Sequence, residues 1–195
     1  LVLPISATWT DIAYGNKYWV IISKNGTGSG STVLVSASAG DTWKTAYLPT
    51  VSTWSFIAYG NGTFVAITNT TGNVAYSTNF GLTWSSGTGL SSATWSGIAY
   101  GSGIFVAIAT GSTTAAYSTD NGATWTSVVL PVSANWSQIA FGNGRFVIVS
   151  STAATPLYSF NGATWYASPY SIYASLIEYG NGVFVALTVD GSTKS

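Results

Sequence analysis

The chain has 195 residues, of which 47% are hydrophobic and 15% aromatic, so it can bury a sizeable core and is not a disordered protein. Five Lys and Arg residues balance five Asp and Glu residues, which leaves no basic patch for nucleic acid or anionic lipid. Histidine and cysteine are absent, which excludes disulfides and the usual zinc ligand sets, and no apolar run approaches the roughly 20 residues that span a bilayer. We expect no metal, no cofactor, no nucleic-acid partner and no membrane insertion.

A five-residue motif returns along the whole chain. Its copies are Ile12–Asn16, Ile57–Asn61, Ile98–Ser102, Ile139–Asn143 and Ile177–Asn181. The shared glycines lie 45, 41, 41 and 38 residues apart, the length of one supersecondary unit. We divide the chain into repeats at about 3–47, 48–89, 90–129 and 130–168 with a partial repeat at 169–195, all in one domain 1–195.

The third repeat shows four short β-favouring segments. They are Trp95–Tyr100, Ile104–Ala109, Ala115–Thr119 and Trp125–Leu130. A Gly-Ser-Gly turn joins the first two, as in tight hairpins, and no segment has the 3.6-residue apolar period of a helix. Four strands repeated at about 40 residues predict an all-β fold, a β-propeller of four-stranded antiparallel blades. A β-solenoid is the alternative, but its rungs are much shorter. With four complete repeats and a partial fifth, the propeller is five-bladed or a fragment of a larger one.

A turn of the pattern S-x-D-x-G-x-T-W precedes the last tryptophan of a repeat. Asp120 holds the acid position in the third repeat, and Asn79 and Ser38 replace it in the second and first. These side chains can all accept hydrogen bonds from the backbone of their own turn, glycine supplies the left-handed φ, and tryptophan covers the hairpin. The predicted structural residues of these turns are Ser38, Gly40, Trp43, Asn79, Gly81, Trp84, Asp120, Gly122 and Trp125, with Trp165 in a turn that is one residue shorter. We interpret the turn as a folding device and not as a ligand site.

With these turns the chain resembles Asp-box (BNR-repeat) β-propellers over essentially its whole length. That superfamily includes sialidases, xyloglucan-cleaving glycosidases, sortilin-type receptors and photosystem assembly factors. The combination IAYGNGxFVAI and YSTDNGxTW is most similar to repeats of bacteriophage tail and fibre proteins and of bacterial surface adhesins. The resemblance implies a virion-surface or extracellular location.

The charged residues give little support for an enzyme. The sialidase relatives use an arginine triad, whereas this chain has only Arg145, which we interpret as a solvated turn residue. A glycosidase needs two carboxylates across a sugar ring, and Asp11 and Glu178 are the two acids on the repeated IAY strands. Strand alternation points both to the same face, so they would approach each other if the fifth repeat closed against the first. The alternatives are a water-filled channel that tolerates two acids, or a Glu178 that faces solvent because its neighbouring blade is missing, and we expect no enzyme.

Binding is expected in the loops that do not repeat, on the rim opposite the glycine turns. These loops are neutral, rich in hydroxyl and amide groups, and suit sugars as well as polar protein surfaces. The candidate ligand-binding residues are Tyr47, Tyr166, Tyr170, Tyr173, Asn25 and Asn69. The tyrosines could instead pack between blades, and Trp9, Trp54, Trp95 and Trp136 are expected in the core. The sequence therefore favours a non-catalytic adhesion domain that recognises a host glycan or surface protein. The alternative is a structural module that holds neighbouring chains of a fibre or tail, and a glycosidase is a third hypothesis.

Overall fold

The computed structural model describes residues 3–24, 30–153, 155–188 and 193–194. Within these ranges all regular secondary structure is β, and no helix is present that is long and apolar enough to cross a membrane. The chain forms two compact units. The first unit contains Leu1–Ser92 and Asp120–Trp125, and the second contains Ala93–Thr119 and Thr126–Ser195.

The first unit contains two four-stranded antiparallel sheets in which consecutive strands pair in chain order. The first sheet consists of β1 (Thr8–Gly15), β2 (Tyr18–Lys24), β3 (Thr32–Ser36) and β4 (Lys44–Tyr47). The second sheet consists of β5 (Trp54–Gly60), β6 (Thr63–Thr68), β7 (Val74–Ser77) and β8 (Ser85–Ser86). The first strands of the two sheets, β1 and β5, pack against each other.

The second unit contains two further four-stranded sheets and a three-stranded one. The third sheet consists of β9 (Trp95–Gly101), β10 (Ile104–Ala109), β11 (Ser112–Ser118) and β12 (Thr126–Ala134). The fourth sheet consists of β13 (Trp136–Gly142), β14 (Arg145–Ser150), β15 (Leu157–Ser159) and β16 (Tyr166–Ala167). The fifth sheet consists of β17 (Ala174–Gly180), β18 (Val183–Thr188) and β19 (Thr193–Lys194). Strand β13 packs against both β9 and β17. The four-stranded antiparallel sheets confirm the predicted blades.

The hairpin that joins the first two strands of each sheet has two residues of positive φ, which are Asn or Ser followed by Gly except in the first sheet, where Lys17 takes the place of Gly. In the second sheet Asn61 and Gly62 have φ values of 47° and 75°. In the fourth sheet Asn143 and Gly144 have 45° and 72°. Two consecutive positive φ values match the primed turn that the Gly-Asn-Gly sequence predicts, and such a turn follows the twist of the strands that it joins.

The register of the first strand pair shifts by one residue in every sheet, which the sequence analysis did not predict. In the first sheet the shift falls at Thr10, whose hydroxyl donates to the carbonyl of Trp54 at 2.9 Å. In the fourth sheet it falls at Ser137, whose hydroxyl donates to the carbonyl of Ala174 at 3.2 Å. A bulge re-aims a side chain, and here the re-aimed hydroxyl joins one sheet to the next.

The core follows the repeats, with Trp54, Trp95 and Trp136 buried as expected and Trp9 half-buried. Two strand boundaries predicted in the third repeat were wrong. Strand β11 begins at Ser112 and not at Ala115, because Ser112 pairs with Ala134. Strand β12 runs on through Pro131, which an edge strand tolerates because its outer face needs no backbone donor.

Candidate functional site

The turns that precede the last tryptophan of a sheet are closed by their own side chains. In the third sheet Oδ1 of Asp120 accepts the backbone N–H of Thr124 at 2.9 Å, and Nε1 of Trp125 donates to the carbonyl of Gly122 at 3.1 Å. The side-chain oxygens that accept the corresponding backbone N–H at 2.9 Å are those of Ser38, Asn79 and Asn161. We call these four segments, Ser36–Trp43, Ser77–Trp84, Ser118–Trp125 and Ser159–Trp165, the Ser–Trp turns. Their acceptors are used within each turn.

The glycine of a Ser–Trp turn lies against the second strand of the preceding sheet. A Cβ added at Gly81 would meet Val20 at 2.9 Å, and one added at Gly122 would meet Val65 at 2.7 Å. Gly162 contacts Val106 in the same way, again at 2.7 Å. The absence of a side chain is thus required twice, by the left-handed φ and by the close approach to the preceding sheet.

The two acids of the glycosidase hypothesis have different surroundings. Asp11 lies in the first unit, where its two carboxylate oxygens each accept a backbone N–H at 2.8 Å, one from Ile12 and one from Ile57. Burial raises the pKa of the Asp11 carboxyl above its usual value of 3.8, and the two hydrogen bonds lower it in part. Glu178 lies in the second unit and accepts a hydrogen bond from Nε2 of Gln138 at 3.2 Å. No group of three or more potential metal ligands occurs among the residues that the structure describes.

The predicted ligand-binding tyrosines are all at the surface. Tyr47 lies on β4, Tyr166 on β16, and Tyr170 and Tyr173 in the segment before β17, with Tyr170 the most exposed at 77%. The four tyrosines are divided between the two units.

The two asparagines predicted to bind a ligand are Asn69 and Asn25. Asn69 is half-buried, and its Oδ1 atom is buried without a hydrogen-bond partner in the described part of the chain. Asn25 lies outside the described residues.

A cleft of about 760 Å³ lies in the second unit, between the fourth and fifth sheets. Tyr170 lines it, so one of the predicted ligand-binding residues belongs to the cleft. Tyr166 adjoins it through Tyr158, whose ring centroid lies 5.5 Å from that of Tyr166. A volume of this size is in the range of small-ligand and peptide sites.

Arg145 is the charged residue of this cleft, and its prediction as a solvated turn residue was wrong. It is half-buried on β14, and its guanidinium carbon lies 5.9 Å from the ring centroid of Tyr158 and 5.7 Å from that of Phe184. The Nε atom is buried without a hydrogen-bond partner among the described residues. Strand alternation places Arg145 on the same face as Val147, toward the cleft.

The floor of the cleft repeats the seat of a Ser–Trp turn. In the third sheet, Gly162 rests on Ile104, Val106 and Tyr117. The same positions of the fourth sheet are Arg145, Val147 and Tyr158, and all three line the cleft. Neither Arg145 nor Tyr158 was among the binding residues predicted from the sequence. Superposing the repeats would have found the signal, because Arg145 stands where the third repeat has Ile104.

No protein-family model matches the chain, and no curated protein matches its sequence. Solved structures of β-propellers do match its fold. A structure of YCF48 bound to a D1 peptide has a TM-score of 0.70 and 16% identity, covering 99% of this chain and 64% of the other. A catalytically inactive virginiamycin B lyase from Staphylococcus aureus with quinupristin has a TM-score of 0.76 and 16% identity, covering 98% and 67%. A nidogen/laminin complex has a TM-score of 0.65 and 9% identity, covering 93% and 72%.

The chain spans about two thirds of the length of these structures. At such identities the likeness shows the fold and not a shared activity. Together with the four-stranded antiparallel sheets, it identifies the chain as a β-propeller.

Proposed function

We propose that the chain is a non-catalytic binding domain of a virion tail or cell-surface protein, and that it takes a turn of a partner protein into the cleft beside Arg145. The observation that carries the proposal is the repeated seat. Arg145, Val147 and Tyr158 occupy the positions that hold a glycine turn in the third sheet. Because the equivalent residues of the third sheet hold a glycine turn, we expect this groove to accept a peptide turn as well.

The chemistry of the cleft supports a turn that carries a carbonyl or carboxylate group. Arg145 brings a guanidinium with a buried Nε donor, and the rings of Tyr158 and Phe184 flank it. A guanidinium held between rings is pre-organised for such a group, because little side-chain freedom is lost on binding. Exposed Tyr170 supplies an aromatic surface at the edge, the residue type that is enriched where binding energy concentrates.

Two observations support the absence of catalysis. The inactive virginiamycin B lyase is made so by a histidine-to-alanine substitution, and this chain contains no histidine. The two carboxylates of the glycosidase hypothesis accept hydrogen bonds from neighbours in their own units, and neither lines the cleft. The Asp-box pattern of the Ser–Trp turns is the basis for the placement on a virion tail or cell surface.

The experiment uses a displayed library of short disulfide-closed peptide loops, selected on the immobilised protein. Enriched loops are expected to contain glycine at the turn and an acidic residue. Their affinity is expected to fall at least about tenfold in Tyr170→Ala and in Arg145→Ala, as for residues at the centre of an interface. Tyr47→Ala is the matched control, because Tyr47 is also exposed but does not line the cleft.

A glycan array run in parallel tests the other ligand class. Binding to glycans that Tyr170→Ala abolishes, with no enriched loop, would replace the protein partner by a carbohydrate one. Loops that bind all variants equally well would contradict the assignment of the cleft.

A further inference from the structure

Within each unit, the last glycine in the first strand of a sheet lies against an aromatic ring of the next sheet. A Cβ added to Gly15 would collide with the ring of Tyr59 in the next sheet. The same relation holds in the second unit, where Gly142 lies against Tyr179 and Gly101 lies against Phe141. The last glycine in the first strand of a sheet is therefore the position that the next sheet covers.

In the fifth sheet the corresponding glycine is Gly180, and no aromatic ring of the described residues lies against it. A Cβ added to Gly180 meets no atom of the described residues within 4 Å. The neighbouring residues on the same face are also open, with Leu176 50% and Val183 51% exposed. The exposed face of the fifth sheet is mostly apolar and consists of Leu176, Glu178, Gly180, Val183, Val185 and Leu187.

In the first sheet the corresponding aromatic residue is Tyr14, which is exposed. Ile12 is 49% exposed, whereas Ile57 at the same position of the second sheet is only 6% exposed. Tyr14 is also exposed, and its ring centroid lies 4.6 Å from that of Trp19. Tyr59, which does receive a glycine, lies 4.6 Å from Phe64. The exposed face of the first sheet, which consists of Ile12, Tyr14, Trp19 and Ile21, thus already has the ring arrangement of a face that is covered.

The Ser–Trp turns give a second match between these two faces. Val185 occupies the position of Val20 and Val106, each of which carries the turn glycine of the next sheet, but Val185 is exposed. The turn of the first sheet has Gly40 at φ 94°, close to the 85° of Gly81. The backbone of Gly40 therefore has the conformation with which a Ser–Trp turn packs on a valine such as Val185.

The polar groups at this contact also agree. Where the first and second sheets meet, Asp11 accepts a hydrogen bond from the backbone N–H of Ile57. Where the fourth and fifth sheets meet, Gln138 accepts a hydrogen bond from the backbone N–H of Ile177. The equivalent residue of the fifth sheet is Leu176, which has no acceptor. The backbone N–H of Ile12 needs none, since Oδ1 of Asp11 accepts it at 2.8 Å. A contact between these faces would leave no backbone donor unpaired at this position.

We propose that the exposed face of the fifth sheet packs against the exposed face of the first sheet of a second copy of the chain. The contact continues the interface that already joins consecutive sheets, with Gly180 on Tyr14 and the turn at Gly40 on Val185. Because the two faces are different, the association is head-to-tail and forms rings or filaments according to the angle between copies. The cleft lies on the opposite face of the fifth sheet, toward the fourth, and of its lining residues only Val183, at the start of β18, also belongs to the proposed contact.

Cysteine pairing tests the contact, because the chain has no cysteine of its own. The variants Tyr14→Cys and Gly180→Cys are purified separately, mixed and oxidised. An added Gly15 Cβ would lie 2.0 Å from Cγ of Tyr59, so the two Cβ atoms would be close enough for a disulfide, at the short end of its usual Cβ spacing of about 3.5–4.5 Å. A covalent dimer is expected in the mixture and not in either variant alone. Val129→Cys, mixed with Gly180→Cys, is the control, because Val129 is exposed on β12 and belongs to neither face.

The other outcomes overturn the proposal. A dimer of Gly180→Cys alone would indicate a face-to-face contact of two fifth sheets. A third variant carries both Tyr14→Cys and Gly180→Cys, and a monomer with an internal disulfide in it would indicate that the two faces meet within one molecule. No cross-link in the mixture would indicate that another partner covers these faces.

Sedimentation of the unmodified protein gives a second measurement. The mass is expected to rise with concentration, and Gly180→Val is expected to weaken association at least tenfold while the folded monomer keeps its stability. The valine has open space in the monomer but would collide with Tyr14 in the contact. A wild-type protein that stays monomeric, or a variant that associates equally well, would contradict the proposal.

Discussion

The contact between the third and fourth sheets and the contact between the fourth and fifth differ at one equivalent position. On β13, Oε1 of Gln138 accepts the backbone N–H of Ile177 at 2.9 Å. On β9 the same position is Gly97, where an added Cβ would lie 3.7 Å from the backbone nitrogen of Ile139. One contact therefore has a side-chain acceptor at the strand edge and the other has none.

Both contacts nevertheless keep the glycine and the aromatic ring, at Gly101 with Phe141 and at Gly142 with Tyr179. Apolar packing is therefore sufficient to join two sheets, and the hydrogen bond to the side-chain acceptor adds further stability to the contact. Hydrophobic burial acts over the whole face, whereas one hydrogen bond contributes about 1 kcal/mol net. Substitutions at the glycine and at the acceptor are therefore expected to change stability by different amounts.

The largest effect is expected from Gly142→Val, because its Cβ would collide with the ring of Tyr179 and force the fourth and fifth sheets apart. We expect a loss of about 3 kcal/mol or more in the free energy of unfolding, measured by urea denaturation at low protein concentration. Gly180→Val is the matched control and should change this free energy by less than about 0.5 kcal/mol. Equal losses in the two variants would show that the ring contact does not join the sheets.

Removing the acceptor at the fourth sheet is the next largest change. Gln138→Leu leaves the backbone N–H of Ile177 buried and unpaired, so we expect a loss of about 2 kcal/mol in urea denaturation. Glu178→Gln is the control, since it changes only the exposed partner of Gln138. If both variants lost the same amount, the backbone hydrogen bond would not be the cause.

Adding an acceptor at the third sheet should have a smaller and opposite effect. Gly97→Gln and Gly97→Leu both bring a Cβ to 3.3 Å from Cγ2 of Ile139, so the steric cost is shared. Only glutamine can accept the N–H of Ile139, and we expect it to be more stable than leucine by about 1 kcal/mol. Thermal unfolding of the two variants measures the difference, and a leucine variant of equal stability would contradict it.

The smallest effect concerns pH and Asp11, which makes the equivalent contact in the first unit. Burial raises the pKa of this carboxyl in the folded protein above its usual value of 3.8. Between those two pKa values the folded state binds a proton that the unfolded state does not, so its stability rises as the pH falls through this window. The free energy of unfolding of the wild type, relative to Asp11→Asn, should therefore be higher at pH 4 than at pH 7. A difference that falls on acidification would indicate that the hydrogen bonds dominate over burial.

The sequence was sufficient for the architecture because the repeats act locally. The turn at Asn61 and Gly62 and the turn at Asp120 are specified by residues within a few positions of each other. Their φ preferences and side-chain acceptors operate whatever lies beside them. The order of strands in each sheet follows from such turns.

The candidate site was predicted only in part, because it depends on contacts between sheets. Tyr170 stood out as an exposed aromatic residue of a variable loop, and it does line the cleft. Arg145 follows a glycine turn and has the sequence signature of a solvated residue. Its burial is decided by Tyr158 and Phe184, which are 13 and 39 residues away along the chain. The bulge at Thr10 was missed for the same reason, since its hydroxyl is fixed by the carbonyl of Trp54.

The packing of each Ser–Trp turn on the preceding sheet has a consequence for synthesis on the ribosome. Val35 receives its cover from Gly81, which is translated 46 residues later. At about 5–20 residues per second the apolar surface of the first sheet waits several seconds for that turn. The nascent chain therefore always carries one unfinished sheet at its growing end. Slow translation within a repeat would prolong the time in which such a sheet can pair with the wrong chain.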